Sequence, residues 1–322
     1  MGAGFDPTRV LYVGGTGRSG STVLANVLGE LEGMVSVGEV RFLWQRGILQ
    51  NRLCGCGLRF GQCPWWSEVL DLALGPGTDA ARAELAVRTH QELTRRTRLR
   101  QLPTALASHR LRVTLRPDGE LEDVLGRVYA AISAMADGAV VVDSSKLPTY
   151  AAMLATIEDV DPHVVHMLRD PRAAAYSWLR NKHQPDLGAD ARMERRSAAK
   201  SAVLWAVWNR ALETLVSDVP NRYARITYET FLSQPDPELR RVLEALNLEP
   251  SARDLERVFA NPRGVQLSTN HTVAGNPARH QHGLVPIVLD DEWTRSMRGV
   301  DRRAVTALTL PALRHYGYRL AG

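Results

Sequence analysis

Leu11-Tyr-Val-Gly-Gly-Thr-Gly-Arg-Ser-Gly-Ser-Thr-Val-Leu24 decides the fold of this 322-residue chain. Val10 to Val13 is a short apolar run of the buried-strand kind, and a turn carrying Gly14, Gly15, Gly17 and Gly20 follows it. Ser21 and Thr22 then open a helix in which Val23, Leu24, Val27, Leu28 and Leu31 recur at helical spacing. Strand, glycine turn and helix start together form an anion cradle. Glycines let backbone N–H groups converge, and the helix dipole adds a favourable field. Gly17, Arg18, Ser19, Gly20, Ser21 and Thr22 are the candidate anion-binding residues, with one cation and three hydroxyls among them.

The usual triphosphate loop has the pattern G-x-x-x-x-G-K-[ST], with its lysine on the terminal phosphates. Here no lysine precedes Ser21, and Arg18 lies inside the loop instead. Gly17-Arg-Ser-Gly-Ser-Thr22 resembles the 5′-phosphosulfate loop of the sulfotransferases that use 3′-phosphoadenosine 5′-phosphosulfate (PAPS). The likeness is to the arginine-bearing version found in tyrosylprotein and many bacterial sulfotransferases. Alone, the loop fits a kinase-like P-loop protein equally well, so the rest of the chain has to discriminate.

Met34 to Gly38 reads as a second strand, and Glu39 stands at its carboxyl end, where open α/β sheets bind ligands. Ala139-Val-Val-Val-Asp143 reads as a third strand, followed shortly by Lys146, one of only three lysines in the chain. His163 to Leu168 is a fourth strand. It runs into Arg169-Asp-Pro-Arg172, where Asp170 and Pro171 signal a helix start and Ser177 follows two turns later. A fifth strand, Tyr223 to Thr227, ends at Tyr228.

The family resemblance gives each of these a role. It implies that Glu39 is the base that activates the acceptor and that Lys146 reaches the sulfuryl group and bridging oxygen. Arg169 and Ser177 would grip the 3′-phosphate of PAPS, and Tyr228 would line the adenine pocket. Ser268 to Gly283 is a polar loop in which Arg279 resembles the residue of a late loop closing over the 3′-phosphate, although His280 stands where relatives often carry an aromatic residue. PAPS is the implied co-substrate, and its desulfated form PAP the product.

Strands alternating with helices and no internal repeat predict one P-loop-like, doubly wound α/β domain over residues 1–322, its parallel sheet flanked by helices. The alanine- and arginine-rich stretch at about 75–119, helical from Asp79 to Leu102, is expected to be an insertion forming an arm or lid over the acceptor site. Leu121, Val124, Leu125, Val128, Ile132 and Met135 predict a packed helix after it.

A net charge of +5 and scattered arginines without interleaved aromatics point to a small polyanionic ligand and not to nucleic acid. No apolar run is long enough to span a membrane, and Met1 to Thr8 is polar and acidic. The expectation is a cytoplasmic enzyme, and the alanine and arginine richness is typical of a GC-rich bacterial genome. Cys54, Cys56 and Cys63 form a C-x-C-x₆-C run with no fourth metal ligand nearby in sequence, and His271, His280 and His282 lack cysteine or carboxylate support there. No metal is therefore expected.

The expected activity is in-line sulfuryl transfer from PAPS to a hydroxyl acceptor (carbohydrate, lipid or small natural product), without a metal requirement. A Mg-ATP-dependent small-molecule kinase, with Asp143 on the Mg²⁺, is the alternative. Acceptor identity and oligomeric state leave no mark in the sequence.

Overall fold

A computed structural model describes residues 6–111, 119–187, 190–248 and 251–320. In chain order its regular elements are β1 (Thr8–Gly15), α1 (Ser21–Leu28), β2 (Met34–Gly38), α2 (Pro64–Leu74), α3 (Asp79–Thr97), α4 (Leu102–Leu111) and α5 (Gly119–Ala134). Then come β3 (Val140–Lys146), α6 (Pro148–Leu154), β4 (Val160–Leu168), α7 (Pro171–Leu179), α8 (Ala198–Val216) and β5 (Tyr223–Thr227). The chain continues through α9 (Tyr228–Ser233), α10 (Pro235–Ala245), α11 (Ala252–Val258), β6 (Val265–Leu267), β7 (Gly283–Val285), α12 (Trp293–Ser296) and α13 (Gly299–His315).

Five strands form one parallel sheet in the order β2-β3-β1-β4-β5. The apolar run of β1 explains its central place. Side chains alternate across a strand, and both faces of this one are buried. Val10 and Tyr12 pack on one side with α2, α5, α6 and α8, whereas Leu11 and Val13 pack on the other with α1, α9, α10 and α11. β6 and β7 make a separate two-stranded antiparallel ribbon late in the chain.

Two boundaries differ from the sequence reading. β3 does not stop at Asp143 but continues to Lys146, because pairing with β1 resumes at Gly14 after a register shift. The helical stretch from Asp79 breaks at Arg98, which has extended backbone, and gives α3 and α4. Its Ala86, Leu93 and Leu102 are buried in the same cluster as the sheet. α3 packs on the residues just after β2, Leu43–Leu49, which form a π-helix.

Leu11 lies at the centre of the sheet with no exposed surface, and Leu72 on α2 is 61% exposed. Leu11→Ala is expected to cost about 2–5 kcal/mol through lost burial and the cavity left behind. Leu72→Ala should stay within about 0.5 kcal/mol. Urea denaturation of the two variants beside the parent protein measures both.

Candidate active site

In a parallel sheet all carboxyl ends lie on one edge, and here every strand delivers a sequence-predicted residue to that edge. The loop Gly17–Thr22 follows β1, Glu39 follows β2, Lys146 ends β3, Arg169 follows β4 and Tyr228 follows β5. This is the edge at which open α/β sheets bind ligands.

The glycine loop and Arg169 meet directly. An Arg169 terminal nitrogen donates to the Arg18 backbone carbonyl at 3.2 Å. Trp178 on α7 donates through its indole nitrogen to the Gly17 carbonyl at 3.2 Å and lies under the Arg18 guanidinium, 4.7 Å away. Gly20, just before α1, has left-handed backbone, and no side chain caps the helix N-terminus. A side chain at Gly20 is excluded, since a Cβ there would stand 2.4 Å from the Tyr228 ring. Around the cradle, Thr16 Oγ1, Ser19 Oγ, Arg18 Nε and Arg169 Nε are buried without a hydrogen-bond partner. Buried polar atoms are seldom left so, and their clustering marks a place built for an anion.

The charge distribution agrees. Burial, with Arg180 and Arg196 nearby, lowers the Arg18 guanidinium to about 10. Burial, with Arg180 and Arg18 next in size, lowers Lys182 to about 8. Like charges crowded into low dielectric disfavour their own charged forms. Asp290 is the internal counter-ion. Its carboxylate lies 3.3 Å from Arg169 and is ion-paired with Arg180, whose other arm reaches Glu292 at 2.6 Å. Arg180, Lys182 and Asp290 went unnoticed in the sequence; the only signal for Lys182 was the scarcity of lysine.

On the other side of the loop, Lys146 Nζ donates to Glu39 Oε1 at 2.7 Å and to the Ser144 carbonyl at 2.8 Å. Burial pushes the Glu39 carboxyl up, but Lys146, Arg46 and Arg41 together hold it below its ordinary value. Gly38 has φ +76°, and a Cβ there would lie 2.5 Å from the Ala274 carbonyl oxygen, so glycine is needed to turn the chain into Glu39. Of the described non-glycine residues with positive φ, four are Asn or Asp, which tolerate that region, and the other two are Arg18 and Lys146. Strain of this kind persists where the surroundings impose it, commonly at functional sites.

Asp143 does not stand open as a magnesium ligand. Its carboxylate accepts from the Val40 N–H at 3.3 Å, the Ser145 N–H at 2.9 Å, the Ser145 hydroxyl at 2.6 Å and the Tyr129 hydroxyl at 2.6 Å. Burial raises it to about 6 against those hydrogen bonds. It ties the residue after Glu39 to the residue before Lys146, a positioning role.

Ser177 is buried on α7, the helix that Arg169 leads into. Tyr228 is covered by Arg169, whose guanidinium sits 4.2 Å from the ring centroid, and packs on the Gly20 turn. Its ring therefore packs between the arginine and the loop. Arg279 is likewise engaged elsewhere. Buried to 2% exposure, it donates to the Leu53 and Thr272 carbonyls at 2.9 and 3.0 Å and lies 3.4 Å from Asp186. A Cβ at Gly275 would fall near Arg279, Thr22 and Glu39, which places Arg279 on the Glu39 side. Among the described residues no helix is long and apolar enough to cross a membrane.

The sulfotransferase family model matches residues 11–252, from β1 to the start of α11. No curated protein sequence matches the chain. Among solved structures, the sulfotransferase domain from the Synechococcus PCC 7002 olefin synthase superposes with a TM-score of 0.55 at 18% identity, covering 99% of this chain and 98% of that one. The sulfotransferase domain from the curacin biosynthetic pathway superposes with a TM-score of 0.52 at 16% identity, covering 98% of this chain and 99% of that one. Identities this low speak to the fold, whereas the family match speaks to the sequence. With that match running through the glycine loop, Glu39, Lys146 and Arg169, the chain belongs to the sulfotransferase family.

Proposed function

We propose that the chain moves a sulfuryl group from PAPS to a hydroxyl of a carbohydrate, lipid or small natural product. The observation that carries this reading is the contact between Arg169 and the Arg18 carbonyl, which makes two anion grips from distant parts of the chain into one cationic cluster. A donor with phosphates at both ends of its ribose suits such a site. Its 5′-phosphosulfate lies on the loop and the start of α1, and its 3′-phosphate takes Arg169 with Ser177. The orphaned nitrogens of Arg18 and Arg169 and the hydroxyls of Thr16 and Ser19 gain partners when that donor is bound. Tyr228 keeps Arg169 in place.

In the transfer step, the acceptor oxygen bonds to sulfur as the bond between sulfur and the bridging oxygen breaks. Glu39 takes the acceptor proton, and PAP leaves with the bond's electron pair on its 5′-phosphate. Arg18 and Lys146 stabilise the charge that develops on the sulfuryl oxygens and the leaving phosphate, which preorganised cations do without a reorganisation cost. A sulfuryl group carries one negative charge fewer than a phosphoryl group, so side-chain cations can replace the metal that kinases need. The kinase alternative is not favoured, since the family is that of sulfotransferases and Asp143 spends its oxygens on the backbone and on Tyr129. Lys146 Nζ donates to Glu39 and offsets its charge. A donor that draws the ammonium towards its sulfuryl group frees the carboxylate to act as a base, which couples donor binding to activation of the acceptor.

Glu39→Gln is expected to lower kcat by about 10²–10⁴-fold, the span typical of general-base catalysis, with the affinity for PAP, which lacks the sulfuryl group, unchanged. Steady-state kinetics and calorimetry with PAP check this, and an undiminished kcat would reduce Glu39 to a structural partner of Lys146. Arg169→Ala should weaken PAP by about 1.5–3 kcal/mol, the range for a charge-assisted hydrogen bond, and should barely affect an analogue lacking the 3′-phosphate. Equal losses on both ligands would refute the assignment.

Lys182 supplies a pH test. Its pKa of about 8 in the free protein must rise when an anion binds beside it. Donor binding near pH 8 therefore takes up a proton, and affinity falls as the pH rises through that value. Calorimetry in two buffers of different ionisation enthalpy should show proton uptake in the parent protein and none in Lys182→Met.

A further inference from the structure

We propose that Cys54, Cys56, Cys63 and His271 hold a structural zinc ion. The cysteine run shows no fourth ligand nearby in sequence, but the fold brings one from 208 residues beyond Cys63. The three sulfurs and the His271 ring nitrogen all lie within 4.8 Å of one another. Individual separations are 3.8 Å from Cys56 Sγ to Cys63 Sγ, 3.3 Å from Cys63 Sγ to His271 Nδ1, and 3.9 Å from Cys54 Sγ to the same nitrogen. A tetrahedral zinc with bonds of about 2.3 Å to sulfur and 2.0–2.1 Å to nitrogen spaces its ligands about 3.8 Å (S to S) and 3.6 Å (S to N) apart. The four atoms thus already stand close to the corners of that tetrahedron. A disulfide needs sulfurs about 2.05 Å apart, and all three thiols are free.

Three thiolates and one imidazole are a donor set that suits zinc, and four protein ligands leave no open position for a substrate. The surroundings are also those of a built site. Cys54 and Cys63 are buried. The Trp65 ring stacks on His271 with centroids 5.1 Å apart and planes 6° from parallel. Trp66 donates through its indole nitrogen to the His271 carbonyl at 2.7 Å, and the Gly55 N–H donates to the Thr272 carbonyl at 2.9 Å. Cys54 N–H to Leu58 carbonyl and Gly57 N–H to Cys54 carbonyl bonds, at 2.8 and 2.9 Å, fold the cysteine loop tightly on itself.

The ion would tie this loop to the segment that flanks β2. Two residues after His271, the Val273 N–H donates to the Val37 carbonyl at 2.9 Å, and the Ala274 carbonyl accepts from the Glu39 N–H at 3.2 Å. The site positions the backbone of Glu39 without touching substrate. This inference stands apart from the choice of sulfuryl donor, because metal content can be measured in the absence of any turnover.

The test is elemental analysis and native mass spectrometry of the purified full-length protein. One zinc per chain is expected, falling to a trace in Cys63→Ser and His271→Ala and retained in His271→Cys, which keeps four ligands. Cobalt substitution should give thiolate-to-metal charge transfer with the ligand-field bands of a tetrahedral centre. Should the single variants fail to fold, titration of the parent protein's thiols with a mercurial, with released zinc read by a chromogenic chelator, decides the matter on intact chain. A folded, metal-free protein that rejects added Zn²⁺ and Co²⁺ overturns the proposal, as does an intact mass short of two hydrogens with Cys56 and Cys63 linked.

Discussion

Parallel pairing of β1 with β3 on one side and β4 on the other is the constraint from which the site follows. It requires the chain to leave all five strands on the same edge, so residues scattered from Gly17 to Tyr228 are gathered without any of them reaching far. The buried alternation of Val10, Leu11, Tyr12 and Val13 makes β1 central, and a central β1 places the glycine loop between Lys146 on one flank and Arg169 on the other. Packing of one four-residue run therefore sets the geometry of the chemistry. A change that shifted its register would turn Tyr12, which donates to the Leu147 carbonyl at 2.9 Å just after Lys146, away from that anchor.

The edge divides into two electrostatic halves. Around Arg169 positive charge is in excess and only partly offset by Asp290, so that half is poised to take up an anion. Around Glu39 a carboxylate stands among the cations, with Lys146 in direct contact with it at similar burial and Arg46 and Arg41 nearby. A buried pair of this sort contributes little net stability, because desolvation of both ions offsets their attraction. What it provides is a defined resting arrangement that a bound anion can disturb, with Asp143 keeping both partners' backbones fixed while it does.

Much of this was legible in the sequence, for a physical reason. Glu39, Arg169 and Tyr228 lie within one residue of a strand end, and a strand end is visible as the point where an apolar run meets a polar or glycine-bearing turn, whereas Lys146 stood out as a rare lysine shortly after one. Side chains whose position depends on contacts between distant loops gave no such sign. Arg180, Lys182 and Asp290 form a cluster only because α7 and the segment before α12 pack together, and His271 becomes a partner of Cys63 only through tertiary contact. Tyr228 and Arg279 show the converse. Both stand where the family pattern puts them in sequence, but Arg169 covers the one, and Leu53, Thr272 and Asp186 engage the other. Motif position predicts which loop a residue occupies, whereas its role depends on which partners the rest of the fold leaves unsatisfied.

The segment from His271 to Arg279 joins these threads. It begins at the cysteine cluster, passes its carbonyl at Ala274 to the Glu39 N–H, and ends with Arg279 buried against the carbonyls of Leu53 and Thr272. Asn270 and Asn276 each accept backbone N–H groups within it, from Thr272 and Ala278, which lets an irregular segment sit beside the sheet without stranding its own polar groups. Having few apolar side chains to bury, such a segment is held mainly by hydrogen bonds and charge. Its fixation at both ends is then what gives Glu39 a single position, and the left-handed Gly38 directs the chain into it. Placement of the proposed base thus rests as much on a late polar loop as on the strand that precedes it.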